Sequence, residues 1–218
     1  MDFSLATIVL WAVPVVFAIT LHEAAHGYVA RMFGDRTAWM LGRVTLNPIK
    51  HVDLVGTLLV PGLLLVIAKV TGAPLFIFGW AKPVPVNFGN LRNPKRDMLW
   101  VAGAGPFANF VMALAWAVLF RIALPDGSFA SDGMREMATA GVQVNLMLMA
   151  LNLLPILPLD GGRIAVSLLP HSLAMGYARL ERYGFVVVML LLATGLLNDL
   201  MAPLLRVGYL AVKAIVGL

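Results

Sequence analysis

Residues 18–30, "AITLHEAAHGYVA", set two histidines and a glutamate inside an apolar run of the kind that builds membrane helices. On a helix, His22 and His26 are four residues apart and share one face, the spacing that lets two imidazoles bind one metal ion. Glu23 stands on the adjoining flank, badly placed for a third ligand and well placed to take a proton from a metal-activated water. Ala24, Ala25 and Gly27 are small enough to admit a neighbouring helix or a substrate backbone. The competing reading makes the histidines hydrogen-bonded helix glue and pairs Glu23 with an arginine such as Arg31. A charge at membrane depth costs roughly 2.5–3.5 kcal/mol on insertion scales, so three clustered polar groups there favour a functional site.

Composition agrees with a membrane setting. Hydrophobic residues make up 61% of the 218 and charged residues only 12%, with a mean hydropathy of +0.89, far from a soluble domain. Apolar runs long enough to cross a bilayer recur, which implies an all-α polytopic membrane protein. The first run has no basic leader and no small-residue cleavage site, so it is expected to stay in the mature chain. The net charge of +5 fits Lys and Arg gathered on the cytoplasmic side better than a nucleic-acid partner. Cysteine is absent, which excludes disulfides and thiolate metal sites.

Along the chain, 5–33 reads as the first span, with Arg31, Arg36, Arg43 and Lys50 marking its cytoplasmic end. Residues 54–79 read as a re-entrant or hairpin excursion, because a single crossing would put Lys82, Arg92, Lys95 and Arg96 outside. A short re-entrant or β-like segment is expected near 80–88. Its string "AKPVPVN" offers one edge that could pair with an extended substrate, a plain connecting loop being the equal alternative. Spans are expected over 98–124, 134–157 and 183–205, with an external turn at 124–133 and a last short span or interfacial helix at the tail. That makes four to six membrane-inserted segments in a single domain, 1–218.

A catalytic zinc site needs three protein ligands, so a third donor lies elsewhere in the chain. Asp160 is the best candidate, since Pro155 and Pro158 stop the preceding helix and Gly161 and Gly162 follow. His51, Asp53 and His171 are its rivals, each among loop signals without such a breaker.

"HEAAH" at 22–26, "GPFAN" at 105–109 and "NLLPILPLDGG" at 152–162 resemble, in order, the three signatures of the site-2 protease family of intramembrane zinc metalloproteases. With "GRVTLNPIKHVD" and "GWAKPVPVN", the whole chain is similar to the short prokaryotic branch without a PDZ or CBS domain. The resemblance implies one zinc per chain on His22, His26 and Asp160, with Glu23 as general base. It also implies a three-helix core over 5–33, 98–124 and 134–160, with Gly105 permitting close packing. Asn109 and Asn152 match the motif asparagines, either as interhelical glue or, for Asn152, as a group that orients the substrate carbonyl. The implied activity is endopeptidase cleavage in or near transmembrane segments of a membrane-anchored protein or peptide. The implied setting is the plasma or inner membrane, with the active site toward the cytoplasm. A metal-binding transporter or a non-catalytic membrane scaffold is the alternative; neither requires a glutamate beside the first histidine. Oligomeric state leaves no trace in the sequence.

Overall fold

The computed structural model describes residues 5–71, 81–123 and 129–217. Among these the chain is built from helices and turns, with no β-strand. The helices are α1 (Leu5–Met32), α2 (Thr37–Met40), α3 (Val60–Thr71), α4 (Pro94–Ile122), α5 (Phe129–Asn152), α6 (Asp160–Leu168), α7 (His171–Ala178), α8 (Glu181–Ala193) and α9 (Leu196–Val216).

α1, α4 and α5 pack on one another, α6 packs on α4, and α9 closes against α4 and α5. Small residues let these backbones approach. Ala113 and Ala117 of α4 are fully buried beside Leu146 and Met149 of α5 and Val212 and Val216 of α9. Between membrane helices such close packing and interhelical hydrogen bonds replace the hydrophobic drive available in water. The expected three-helix core is therefore present, with its third member ending at Asn152 and a separate helix starting at Asp160.

The break between them follows from the prolines, which remove backbone donors at 155 and 158. The chain turns within 153–159, and Leu159, extended, leads into α6. Gly161 and Gly162 are required there: a Cβ on either would collide with the backbone of the turn at 153–157. The glycines let the first turn of α6 seat directly on the break.

Among the described residues, two helices are long and apolar enough to cross a membrane, Val9–Met32 and Pro94–Ile122. A third crossing arises if α8 and α9 count as one broken span. The four to six inserted segments expected also counted more polar helices, such as α5 with Arg135, Glu136, Gln143 and Asn145. The single span expected over 183–205 is corrected: the chain bends by 89° between α8 and α9. Gly195 sits at that bend with φ +80°, a left-handed backbone that glycine adopts without cost. The tail is not a separate segment, because α9 runs unbroken to Val216. In the expected excursion at 54–79, a π-helical turn (Leu54–Leu59) leads into α3, and 72–80 lies outside the described residues, as does 124–128 of the expected external turn.

Residues 81–87 form an irregular strap that leads into a 3-10 turn at Phe88–Asn90. It is pinned along its length. Lys82 N–H donates to the His51 carbonyl at 2.9 Å, Asn87 N–H to Asp35 Oδ2 at 2.7 Å, and Arg92 N–H to the Phe33 carbonyl at 3.0 Å. Asp35, buried just past the end of α1, also accepts from Thr37 N–H at 2.9 Å, from the Thr37 hydroxyl, and from Asn90 Nδ2 at 3.3 Å. Burial works against its charge, but these donors outweigh that and hold its carboxyl below the ordinary carboxylate value.

Candidate metal centre

α1 delivers His22 and His26 side by side, and the break before α6 delivers Asp160 to the same point. Their Nε2 atoms are 3.1 Å apart, and Asp160 Oδ2 lies 3.2 Å from that of His22 and 3.3 Å from that of His26. Ligands about 2.0–2.1 Å from a tetrahedral zinc stand about 3.3 Å from one another, so this triangle has the size of one face of such a site. All three residues are buried.

Protonation is set by the far side of each ring. His26 Nδ1 is 2.7 Å from the Val101 carbonyl, which can only accept, so Nδ1 carries the proton. His22 Nδ1 is 2.6 Å from Asn109 Oδ1. The Asn109 amide is oriented by its other end, where Nδ2 donates to the Ala18 carbonyl at 3.2 Å and to Asn145 Oδ1 at 3.0 Å. Asn145 is fixed in turn by donating to the Gly141 carbonyl at 2.8 Å. A neutral imidazole that donates from Nδ1 presents a lone pair at Nε2. Two such lone pairs converge on Asp160 Oδ2, a buried oxygen that receives no hydrogen bond. Three electron-rich atoms aimed at one point fit a cation.

Gly105 of α4 lies under the histidines. A Cβ there would collide with Nε2 of His26 and with Cε1 and Nε2 of His22. Its packing role is thus directed at the two rings rather than at helix approach in general.

Glu23 projects into the same cavity, of about 160 Å³, whose wall includes the three ligand candidates, Pro83, Val84, Asn152 and Arg163. Its Oε2 accepts the Val84 N–H at 2.7 Å. One of the two valine N–H groups that the strap offered to a substrate is therefore already engaged. Asn152 faces the cavity while its Nδ2 donates to the Leu148 carbonyl at 3.0 Å.

The rivals of Asp160 lie elsewhere. His51 is buried and donates from Nε2 to the Thr45 carbonyl at 3.0 Å. Asp53 caps the π-helical turn by accepting from Val55 and Gly56, and His171 is exposed at the start of α7. Among the described residues, only His22, His26 and Asp160 form a group able to hold a metal. The three signatures do not contain Asn145, the Val101 carbonyl or the Val84 N–H, although Val84 lies in the quoted string at 79–87. Asn145 had a readable signal, an amide inside an apolar helix; the Val101 carbonyl had none, and the edge that carries the Val84 N–H was read as open to a substrate, with nothing to point it at Glu23.

An HExxH pair completed by a distant aspartate on an apolar helical scaffold defines a metallopeptidase centre in a membrane protein. The chain belongs to Peptidase family M50, the site-2 protease family, and is a zinc metalloprotease. Residues 119–195 match the profile of that family. Over 200 residues, 90% of this chain and 85% of the relative, it is 37% identical to "Putative zinc metalloprotease YwhC" of Bacillus subtilis (strain 168). It is 32% identical over 184 residues to "Putative zinc metalloprotease Rip2" of Mycolicibacterium smegmatis (strain ATCC 700084 / mc(2)155), covering 84% of this chain and 66% of that one. No solved structure matches the chain significantly.

Proposed function

We propose that this single-domain protein is an intramembrane endopeptidase acting on membrane-anchored proteins or peptides. The observation that carries the reading is the position of the centre: His22, Glu23 and His26 lie within Val9–Met32, a helix able to cross a bilayer, and Asp160 meets them there. Arg31 lies in the last turn of that helix and Arg36, Arg43 and Lys50 follow it, which supports a multi-pass arrangement in the plasma or inner membrane with the site toward the cytoplasm.

His22, His26 and Asp160 would hold one zinc. Zinc bound there supplies Lewis acidity toward water and the scissile carbonyl. Glu23 keeps Oε2 on the Val84 N–H, leaving Oε1 to take a proton from the attacking water and return it to the leaving amine. Asn109 holds the His22 ring in the tautomer that presents Nε2. Asn152, on the cavity wall, is placed to steady the substrate carbonyl. A helical substrate hides its carbonyls in i to i+4 bonds and must unwind before attack.

The test is cleavage of a membrane-anchored substrate in proteoliposomes by wild type and Glu23→Gln. Loss of cleavage by at least about a hundredfold with zinc retained supports the reading. Undiminished cleavage by the variant overturns the role of Glu23, and absence of cleavage by zinc-loaded wild type overturns the endopeptidase reading and leaves transport or scaffolding, neither of which needs that carboxylate, to be tried next.

A further inference from the structure

The cavity at the metal centre does not end there. A second, of about 220 Å³, adjoins it, and Val86, Met98 and Arg163 line both. The same elements that bear the chemistry wall this second space: the strap that holds Glu23, helix α4, and helix α6 with Asp160 at its start. Phe88, Leu157 and Val166 make it predominantly apolar. It is smaller than the roughly 300 Å³ at which pockets for whole small-molecule ligands begin, but roomy enough for a large side chain.

Arg163 stands between the two spaces. It follows Asp160 by three residues and so shares its side of α6. Its side chain makes no hydrogen bond or ion pair among the described residues, and it forms no salt bridge with Glu181, although both line the second cavity. A guanidinium has five N–H donors and no acceptor, so what satisfies it must be an oxygen. An unpaired, half-buried cation beside a metal centre is costly unless something arrives to pair with it. An extended peptide running from one cavity to the other brings both complements, carbonyl oxygens along its backbone and, if it derives from a membrane segment, apolar side chains.

Resting on the endopeptidase reading above, we propose that the second cavity is a side-chain subsite. It takes a large apolar residue close to the scissile bond, with Val166 limiting its size and Arg163 donating to a backbone carbonyl of the same substrate segment. The bond to be cut then lies over the metal centre while the neighbouring side chain fills the space among Val86, Met98 and Val166.

The experiment uses zinc-loaded protein in proteoliposomes and a set of membrane-anchored peptides in which Leu, Phe, Ala or Ser is scanned through the cleaved segment. Wild type should favour Leu or Phe over Ala or Ser at one position by about tenfold or more in kcat/KM. Val166→Phe should reverse that order, and Val166→Ala should extend it to Trp. Arg163→Gln should raise KM by about tenfold for every peptide without changing their order, and Arg163→Lys should recover part of the loss. A flat order in wild type, or one unaltered in both Val166 variants, overturns the subsite. Should Val166→Phe lose its zinc, Val166→Ala alone decides. Failure of every protein, wild type included, to cut any peptide while zinc-loaded would overturn the endopeptidase reading and the subsite with it, a result distinct from intact cleavage with unchanged preference.

Discussion

The backbone N–H of Val84 donates to Glu23 Oε2 at 2.7 Å across 61 residues of chain, so the candidate general base is oriented by a strap rather than by its own helix. The strap stays in place because Lys82, Asn87 and Arg92 are tied to His51, Asp35 and Phe33.

Val84→Pro deletes the donor. Cleavage should fall by about tenfold or more, the equivalent of one hydrogen bond to a charged group, while zinc content stays at the wild-type level. Both are read from the same preparation by peptide assay and metal analysis. Full activity in this variant would mean that Glu23 needs no help from the strap.

Asn109→Leu removes the acceptor from His22 Nδ1 and leaves Asn145 Oδ1 without its donor. Zinc affinity should fall by about 10–100-fold, as for other partners that orient a ligating histidine. Competition with a chelator of known affinity measures it. Asn145→Leu should produce a weaker version of the same defect, because it acts one bond further from the ring.

Gly105→Ala places a methyl group against both imidazoles. Overpacking of this kind costs about 1–3 kcal/mol, and here the atoms displaced are those that meet Asp160. The expected outcome is loss of zinc with helix content retained, by metal analysis and circular dichroism. Gly103→Ala, on the same helix with nothing within 4 Å of the added carbon, is the control and should behave as wild type.

Asp35 links pH to the strap. Its carboxyl titrates below the ordinary value of 3.8 in the folded protein, so the ionised form is the one folding prefers. The stability it contributes is present above that ordinary value and is lost as pH falls through the lower folded value. The thermal midpoint of wild type should therefore drop more steeply than that of Asp35→Asn below about pH 4. At neutral pH, Asp35→Ala should cost about 2 kcal/mol through the donors it strands, and should lower cleavage more than zinc content.

Much of this molecule was legible in one dimension. The i, i+4 spacing of His22 and His26 puts two imidazoles on one face of any helix they occupy, whatever surrounds it. The prolines at 155 and 158 end a helix by their own chemistry, so the stop before Asp160 was legible, whereas the new helix that starts there was not. Apolar composition alone required helices in a membrane. The bend at Gly195 was missed because a lone glycine in an apolar run is tolerated as readily as it is used for a turn. Asn145 was passed over because an amide declares its partner only when the facing helix is known.

The sequence by itself determined the class of the protein, the pairing of His22 and His26 on one helix face, and the stop that the prolines impose before Asp160, since each depends on neighbours a few residues away. Only the tertiary structure decided that Asp160 rather than His51, Asp53 or His171 meets the histidines, that Asn109 and the Val101 carbonyl hold their tautomers, and that Val84 grips Glu23. Those contacts join residues 61 to 87 positions apart or more. Over such separations no local periodicity constrains geometry, and helix packing alone chooses which backbone groups and side chains arrive at the same point.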